Sequence, residues 1–293
     1  MPELNQQISR LIRQIEQQRN SKVLVLAAAE LDLTLLPTLY NELLRIGPVA
    51  QLDVLIQSRG GEVNASRRIA MLLRSFCQRL TFLVPYYCQS AATLLVLAAD
   101  DMIAGELAMF SPIDPHLHGG TGEGAATTLS CQDIQQFGVM AQRWFGLAPE
   151  QASQQLLGLL AEQMFPPTLT AFYRVSVEVQ QIAEQLLCWQ LPEQSAAERA
   201  AIAQKLIAGY HSHFFALSGA EMQALGLKVQ RHSQIELCSW QLSLLLQQQI
   251  GGAARESLEQ GWFDAALYSA DLLQRRWHQP DGLTALWQQE YPA

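Results

Sequence analysis

The sequence is poor in lysine and in charged residues generally. Only 16% of its 293 residues are charged, and the lysines are Lys22, Lys205 and Lys228. The formal net charge of −8 offers no attraction for a polyanion, which argues against a nucleic-acid partner. The hydrophobic content of 49% excludes a chain that is disordered throughout. The scarcity of lysine also restricts the choice of a catalytic base.

Paired cysteines and long apolar runs are missing as well. The cysteines show no C-x-x-C spacing, so a zinc ribbon is not supported, and their scatter suits reduced thiols. The longest apolar runs, such as Val23 to Ala29, fall far short of the roughly 18 residues that span a bilayer. The N-terminus lacks the apolar segment of a signal peptide. We therefore expect a cytoplasmic protein without a transmembrane segment.

The order of the hydrophobic patterns predicts an α/β fold. Residues 1–20 repeat apolar side chains at helical spacing, which predicts an amphipathic N-terminal helix. Short apolar runs, the first of them Lys22–Ala28, then alternate with helical segments, as in a parallel sheet covered by helices. We expect the main domain to span residues 21–234, followed by a helical C-terminal extension over 235–293. The glycine- and threonine-rich stretch from 119 to 130 is expected to be a loop.

Two turns between a strand and a helix contain the candidate chemistry. The first is the pair Gly60-Gly61, which allows positive φ and close approach of a substrate. The second places Ser90 at the start of a helix of small residues, where backbone N–H groups favour negative charge. The N–H groups of Gly61 and Ala91 are then candidates for an oxyanion hole. Each turn also has a structural interpretation, in which the glycines serve packing and Ser90 is a helix N-cap.

The stretch from Val84 to Leu117 resembles the serine dehydrogenase proteinase family, which is related to the Clp protease proteolytic subunit and to signal peptide peptidase A. The motifs that match are Val84-Pro85, Ser90-Ala91-Ala92-Thr93, Ala99-Asp100-Asp101-Met102 and Ser111-Pro112-Ile113-Asp114-Pro115-His116. Two later motifs, around His213 and over Ala224–Val229, resemble the end of the family pattern. The resemblance implies a ClpP/crotonase-like spiral of parallel strands with flanking helices.

The same resemblance implies a serine protease, a hydrolase that cleaves protein or peptide substrates by acyl transfer. Ser90 is the implied nucleophile, and no metal or organic cofactor is expected. His213 is the first candidate for the base, because it lies in a family-like motif, and it is expected within hydrogen-bond reach of Ser90. His116 is the second candidate, because it lies near the Clp-type histidine position. Asp114 is the candidate partner of the base. Members of this fold usually form rings or stacked trimers, so a homo-oligomer is implied.

The sequence also departs from the family pattern. No lysine lies between Ser90 and Lys205, and Phe214 follows His213 where the family has an aspartate. These departures keep open a catalytically inactive scaffold that binds partners. A crotonase-type acyl-CoA enzyme is a third interpretation, which the scarcity of basic groups for the coenzyme phosphates disfavours. If the chain is a peptidase, we expect a side chain introduced at Gly61 to occupy the place of the substrate carbonyl.

Overall fold

Strands and helices alternate in the first part of the chain, as its apolar runs predict. The computed structural model describes residues 2–119, 127–251, 257, 259–279 and 285–292. Up to residue 110 the elements are α1 (Pro2–Arg19), β1 (Lys22–Ala28), α2 (Leu35–Ile46), β2 (Val49–Ser58), α3 (Val63–Ser75), β3 (Cys77–Val84), β4 (Tyr87–Cys88), α4 (Ala91–Val96), β5 (Asp101–Ala104) and β6 (Met109–Phe110).

The middle of the chain is mainly helical. Its elements are β7 (His116–Gly119), β8 (Thr127–Ser130), α5 (Cys131–Phe145), α6 (Pro149–Gln163), α7 (Pro166–Gln190), α8 (Ala196–Ala208), α9 (Gly219–Ala224), β9 (Val229–Gln230) and α10 (Ser233–Gln247). β7 and β8 form an antiparallel pair, so the end of the predicted loop is a strand, while its residues 120–126 lie outside the described residues. None of the helices in the described ranges combines the length and the apolar content that crossing a membrane requires.

The strands β1, β2, β3, β5 and β9 form the parallel part of the central sheet, in that spatial order. β1 and β2 run in register and end together at Ala28 and Ser58. Ser58 also pairs with Cys88 of β4, and β4 pairs in turn with β6. Gly60 follows Ser58 by two residues, and Ser90 follows Cys88 by two residues. The two turns therefore lie side by side at the carboxyl edge of the sheet.

The C-terminal segment differs from its predicted helical structure. After α10 come β10 (Trp262–Tyr268), β11 (Leu273–His278) and β12 (Leu286–Glu290). β10 pairs antiparallel with β1, and β11 and β12 extend the sheet further. The prediction of a helical extension over 235–293 is therefore wrong beyond α10. The physical reason is the apolar edge of β1, whose N–H and C=O groups need a neighbouring strand.

Helices cover both faces of the sheet because its central strands are apolar on both sides. One face packs against α2, α3, α4, α7 and α8 through side chains such as Leu24 and Phe82. The other face packs against α1 and α10 through Val25 and Leu55. Neighbouring residues of one strand thus point to opposite faces, as strand geometry requires. The amphipathic helix predicted for residues 1–20 is α1, and its apolar side lies on the sheet.

Arg276 of β11 ties the C-terminal strands to the first half of the chain. Its guanidinium donates to both carboxylate oxygens of Asp264 at 2.8 and 2.9 Å and to both of Asp32 at 2.8 and 3.1 Å. The Arg276 side chain is buried. Burial by itself lowers the pKa of the guanidinium, but the two carboxylates outweigh it and raise that pKa above its usual value. Removing this cation would leave two negative charges without their partner.

We expect Arg276→Met to lower the free energy of unfolding by about 3–5 kcal/mol, because it breaks a buried ion pair from one side. The matched control is Arg13→Met, since Arg13 forms an exposed salt bridge with Asp271. The control is expected to cost less than about 1 kcal/mol. Urea unfolding followed by tryptophan fluorescence measures both. Equal losses in the two variants would contradict the structural role of Arg276.

Candidate active site

Ser90 has a backbone conformation that few serines adopt. Its φ is 52° and its ψ is −122°, and among the described residues other than glycine it shares a positive φ with Asn20. The N-cap interpretation requires its side chain to accept a hydrogen bond from the first turn of α4, and no such bond is present. Strained backbone of this kind costs on the order of 1–3 kcal/mol and is frequent at active sites. The Ser90 hydroxyl is therefore not used as a helix cap.

Buried hydroxyl groups hold the Ser90 turn in place. The N–H of Ser90 donates to Oγ of Ser111 at 2.7 Å, and the N–H of Ser111 donates to Oγ1 of Thr93 at 3.1 Å. Oγ1 of Thr93 donates in turn to the carbonyl of Cys88 at 2.6 Å. This chain of bonds fixes the strand end, the turn and the helix start relative to one another. Sequence analysis did not single out Ser111, although it begins the family-like motif that contains Asp114.

The glycine turn lies directly against Ser90. Gly60 has φ 117°, and a Cβ atom built on it would lie 2.7 Å from Cβ of Ser90. Leu31 donates its N–H to the carbonyl of Gly60 at 2.6 Å and accepts from the N–H of Glu62 at 2.8 Å. Leu31 and Gly61 thus form a parallel β-bridge, in which the N–H of Gly61 points away from Leu31. Only glycine at position 60 allows the two turns to approach so closely.

The prediction that a side chain at Gly61 would occupy the place of the substrate carbonyl is wrong. Gly61 has φ 136°, and a Cβ atom there would lie 2.4 Å from the carbonyl oxygen and 2.5 Å from the nitrogen of Leu31. The side chain would collide with the backbone of Leu31, on the side opposite to the N–H group. A larger residue at Gly61 would thus break the bridge to Leu31 instead of filling the place of a substrate carbonyl.

A cleft of about 510 Å³ opens over the two turns. Its lining includes Ser90 together with Gly61, Ala91, Asp114 and His116. Ala91 begins α4, and N–H groups in the first turn of a helix have no acceptor within that helix. The cleft therefore brings a serine hydroxyl, the predicted oxyanion donors and a histidine to one surface.

Acidic side chains give this cleft its charge. Glu30 and Glu62 line it in addition to Asp114, and no lysine or arginine stands among the lining residues that the structure describes. Lys205, the first lysine after Ser90 in the sequence, instead lies over the ring of Tyr210, outside the cleft lining. A lysine base for Ser90 is therefore not available in the described part of the cleft.

Asp114 is the centre of a hydrogen-bonded group at the end of the cleft. Its Oδ1 accepts from Nδ1 of His213 at 2.6 Å, and its Oδ2 accepts from Oγ of Ser130 at 2.8 Å. Its backbone carbonyl lies 3.2 Å from Nδ1 of His116. The rings of His116 and His213 meet edge to face, with centroids 4.2 Å apart. Although Phe214 replaces the aspartate expected after His213, Asp114 supplies a carboxylate from another segment.

The surroundings lower the pKa values of both Asp114 and His116, for different physical reasons. Burial raises the pKa of the Asp114 carboxyl, but hydrogen bonds from His213 and Ser130 and the neighbouring imidazoles outweigh it, so that pKa lies below its usual value. Burial, followed by the charge of His213, lowers the pKa of His116 below that of an ordinary histidine. At neutral pH, Asp114 is therefore ionised and His116 is neutral, which is the form that accepts a proton.

The two candidate bases occupy different positions. His116 lines the Ser90 cleft, whereas His213 lines a neighbouring cavity of about 580 Å³ that Asp114 and His116 also border. Among the described residues no hydrogen bond joins Ser90 Oγ to either histidine, so the bond expected between His213 and Ser90 is absent, and His213 bonds Asp114 instead. Ser130, which holds Asp114, was not found by sequence analysis, because an isolated serine gives no signal of its distant partner.

Comparison with known proteins agrees with the sequence resemblance. Residues 1–131 match the family model of the ClpP-like SDH-type serine proteinases, a class of serine proteases. This match confirms the predicted family resemblance and the ClpP-like α/β fold, and its range includes Ser90, Asp114 and His116 but not His213.

Curated relatives are known from Methanocaldococcus jannaschii. The chain is 29% identical to the uncharacterized protein MJ1495 over 121 residues, which cover 37% of this chain and 41% of that protein. It is 39% identical to the uncharacterized protein MJ0137 over 66 residues, or 22% of this chain and 23% of that protein. The chain thus spans less than half of the length of either relative.

A solved structure of the 1510-N membrane-bound stomatin-specific protease, a serine-to-alanine mutant, aligns with 75% of this chain and 84% of its own at 14% identity and a TM-score of 0.41.

We expect Gly60→Ala to lower the free energy of unfolding by on the order of 1–3 kcal/mol, because the new methyl group meets Ser90 and alanine disfavours the positive φ. The matched control is Gly158→Ala on the exposed side of α6, where a Cβ atom meets nothing within 4 Å. Alanine favours a helix over glycine, so this variant should gain up to about 1 kcal/mol. Urea unfolding compares the two. A Gly60→Ala protein as stable as the wild type would contradict the described contact.

Proposed function

We propose that this chain is a serine peptidase that hydrolyses protein or peptide substrates with Ser90 as its nucleophile. The observation that carries the proposal is the strained, uncapped Ser90 in a cleft that His116, Gly61 and Ala91 also line. A serine hydroxyl is a weak nucleophile and needs a nearby proton acceptor. The match to a serine proteinase family over residues 1–131 supports the same reaction class.

His116 is the proposed general base. A bond from its Nδ1–H to the carbonyl of Asp114 leaves the lone pair on Nε2 to accept the proton of Ser90. The lowered pKa of His116 keeps that lone pair free at neutral pH. When the imidazole becomes charged, the Asp114 carboxylate, whose Oδ2 lies 3.8 Å from Nε2, stabilises it.

The proposed reaction proceeds in two acyl transfers. Ser90 Oγ attacks the peptide carbonyl while His116 takes the hydroxyl proton, and the N–H groups of Gly61 and Ala91 bind the oxyanion. The C–N bond breaks as His116 returns the proton to the leaving amine. A water molecule then attacks the ester at Ser90, gives its proton to His116, and releases the acid and the free serine. No redox step or external electron donor is required.

His213 is proposed as a positioning residue and not as the base. It donates to Asp114 at 2.6 Å and contacts the ring of His116, so it fixes the carboxylate and one side of the imidazole. This assignment reverses the order of preference suggested by sequence motifs, because His116 and not His213 lines the Ser90 cleft.

A fluorophosphonate probe tests the nucleophile. We expect the wild-type protein to be labelled and Ser90→Ala to remain unlabelled, with peptide hydrolysis reduced by on the order of 10³-fold or more. Ser212→Ala is the matched control, since Ser212 is an exposed serine of the neighbouring cavity, and it should be labelled as the wild type is. Equal labelling of wild type and Ser90→Ala would remove Ser90 from the mechanism. A wild-type protein that is never labelled would favour the inactive scaffold.

The pH dependence of kcat/KM separates the two histidines. Activity needs neutral His116, so it should be lost as the pH falls through the pKa of His116, with a midpoint below the ordinary histidine value of about 6.5. His116→Gln should reduce kcat/KM by on the order of 10²–10⁴. His213→Gln should retain measurable activity and move the midpoint to higher pH, because the charge of His213 contributes to lowering the pKa of His116. A His213→Gln enzyme as inactive as His116→Gln would contradict the proposal that His213 only positions the base.

A further inference from the structure

Three side chains with metal-binding atoms meet at the end of the Ser90 cleft. One atom each from Asp114, His116 and His213 forms a set whose members all lie within 4.8 Å of one another. In a tetrahedral zinc site, bonds of about 2.0–2.2 Å place the ligand atoms about 3.4 Å apart. The distance of 3.8 Å between Nε2 of His116 and Oδ2 of Asp114 is close to that spacing. Coordination of one ion by all three groups requires the hydrogen bond between Nδ1 of His213 and Asp114 to give way to bonds with the ion.

The donors are held by further hydrogen bonds of the kind that orient metal ligands. Ser130 donates to the carboxylate of Asp114 at 2.8 Å. Nδ1 of His116 bonds the carbonyl of Asp114, which leaves Nε2 with the free lone pair. Bonds from the second nitrogen of a ligating histidine to a carbonyl or carboxylate are typical around protein-bound zinc. Asp114 and His116 thus have supporting contacts before any ion arrives.

The site is open to solvent ions and surrounded by negative charge. The side chains of His116 and His213 are 27% and 18% exposed, and cavities adjoin them on two sides. Glu30 and Glu62 add carboxylates to the cleft. Among the described residues that line the two cavities, Arg143 is the one lysine or arginine, and it is exposed. A dication is therefore attracted to the group and can reach it.

We propose that Asp114, His116 and His213 bind a single Zn²⁺ ion that reversibly inhibits the enzyme. Two imidazoles and one carboxylate suit zinc, whereas magnesium and calcium prefer oxygen ligands and copper(I) prefers thiolates and thioethers. Three protein ligands leave a fourth position for water. No cysteine enters the set, so the site does not depend on the redox state of the chain.

The inhibitory effect follows from the lone pair of His116 and rests on the proposed function. A nitrogen that coordinates zinc cannot accept the proton of Ser90 at the same time. Occupation of the site therefore leaves the Ser90 hydroxyl protonated and unreactive, and removal of the ion by a chelator restores the base. Zn²⁺ binding does not require catalytic turnover, so it can be measured whether or not the chain hydrolyses peptides.

Titration of the chelator-stripped full chain with Zn²⁺ tests the site. Calorimetry should show that one Zn²⁺ ion binds to each chain. Co²⁺ bound in place of Zn²⁺ should give the visible absorption of a four-coordinate complex. His116→Gln and His213→Gln should each weaken Zn²⁺ binding at least about tenfold. The matched control is His211→Gln. His211 lies two residues before His213 and is exposed, but it does not belong to the ligand set. Circular dichroism establishes that all variants are folded.

The outcomes distinguish the metal site from the proposed function. Two results together support the proposal. The wild type binds one Zn²⁺ ion that both ligand variants fail to bind, and this ion slows fluorophosphonate labelling of Ser90 until a chelator is added. Zn²⁺ binding that is as tight in the ligand variants as in His211→Gln overturns it. Tight binding with an unchanged labelling rate overturns the inhibitory role. If the wild type is neither labelled nor active, the proposed peptidase fails, and the titration alone decides the metal site.

Discussion

The close approach of Gly60 to Ser90 is the constraint on which the candidate site depends. Pairing of Ser58 with Cys88 brings the two turns together, and a Cβ atom on Gly60 would lie 2.7 Å from Cβ of Ser90. In the same geometry the N–H of Gly61 points away from Leu31, and Gly61 lines the cleft. A sheet packed on both faces provides the rigid support that a strained turn requires, because well-packed interiors yield little to local strain.

Asp114 is the second fixed point, and it joins segments that are far apart in the chain. Its side chain bonds His213 across 99 residues and Ser130 across 16, while its carbonyl holds His116. A buried carboxylate that lost these donors would carry the full cost of an unpaired charge. This requirement explains how the site keeps a carboxylate beside its histidines although Phe214 stands where the sequence pattern expects aspartate.

The parts of the fold that the sequence predicts depend on local signals. Continuous apolar runs indicate the parallel strands, and a serine between a strand and small residues indicates the Ser90 turn. The strands β10–β12 depend on pairing with β1, a long-range contact, and their mixture of polar and apolar residues fits a helix as well. Ser111 and Ser130 escape detection because a serine does not reveal its hydrogen-bond partner. The choice between His116 and His213 likewise needs tertiary structure, since both lie in plausible motifs.

Nε2 of His116 is the atom at which the proposed catalysis and the proposed metal site exclude each other. As a base it receives the proton of Ser90, and as a ligand it gives the same lone pair to zinc. The carboxylate of Asp114 offsets part of the burial that disfavours a positive charge on this imidazole, and the carboxylates of the cleft raise the local concentration of metal cations. The carboxylate that stabilises the imidazolium once it forms therefore also attracts the competing cation. Sensitivity to zinc is, on this reasoning, a physical consequence of the free lone pair on Nε2 and of the negative charge beside it.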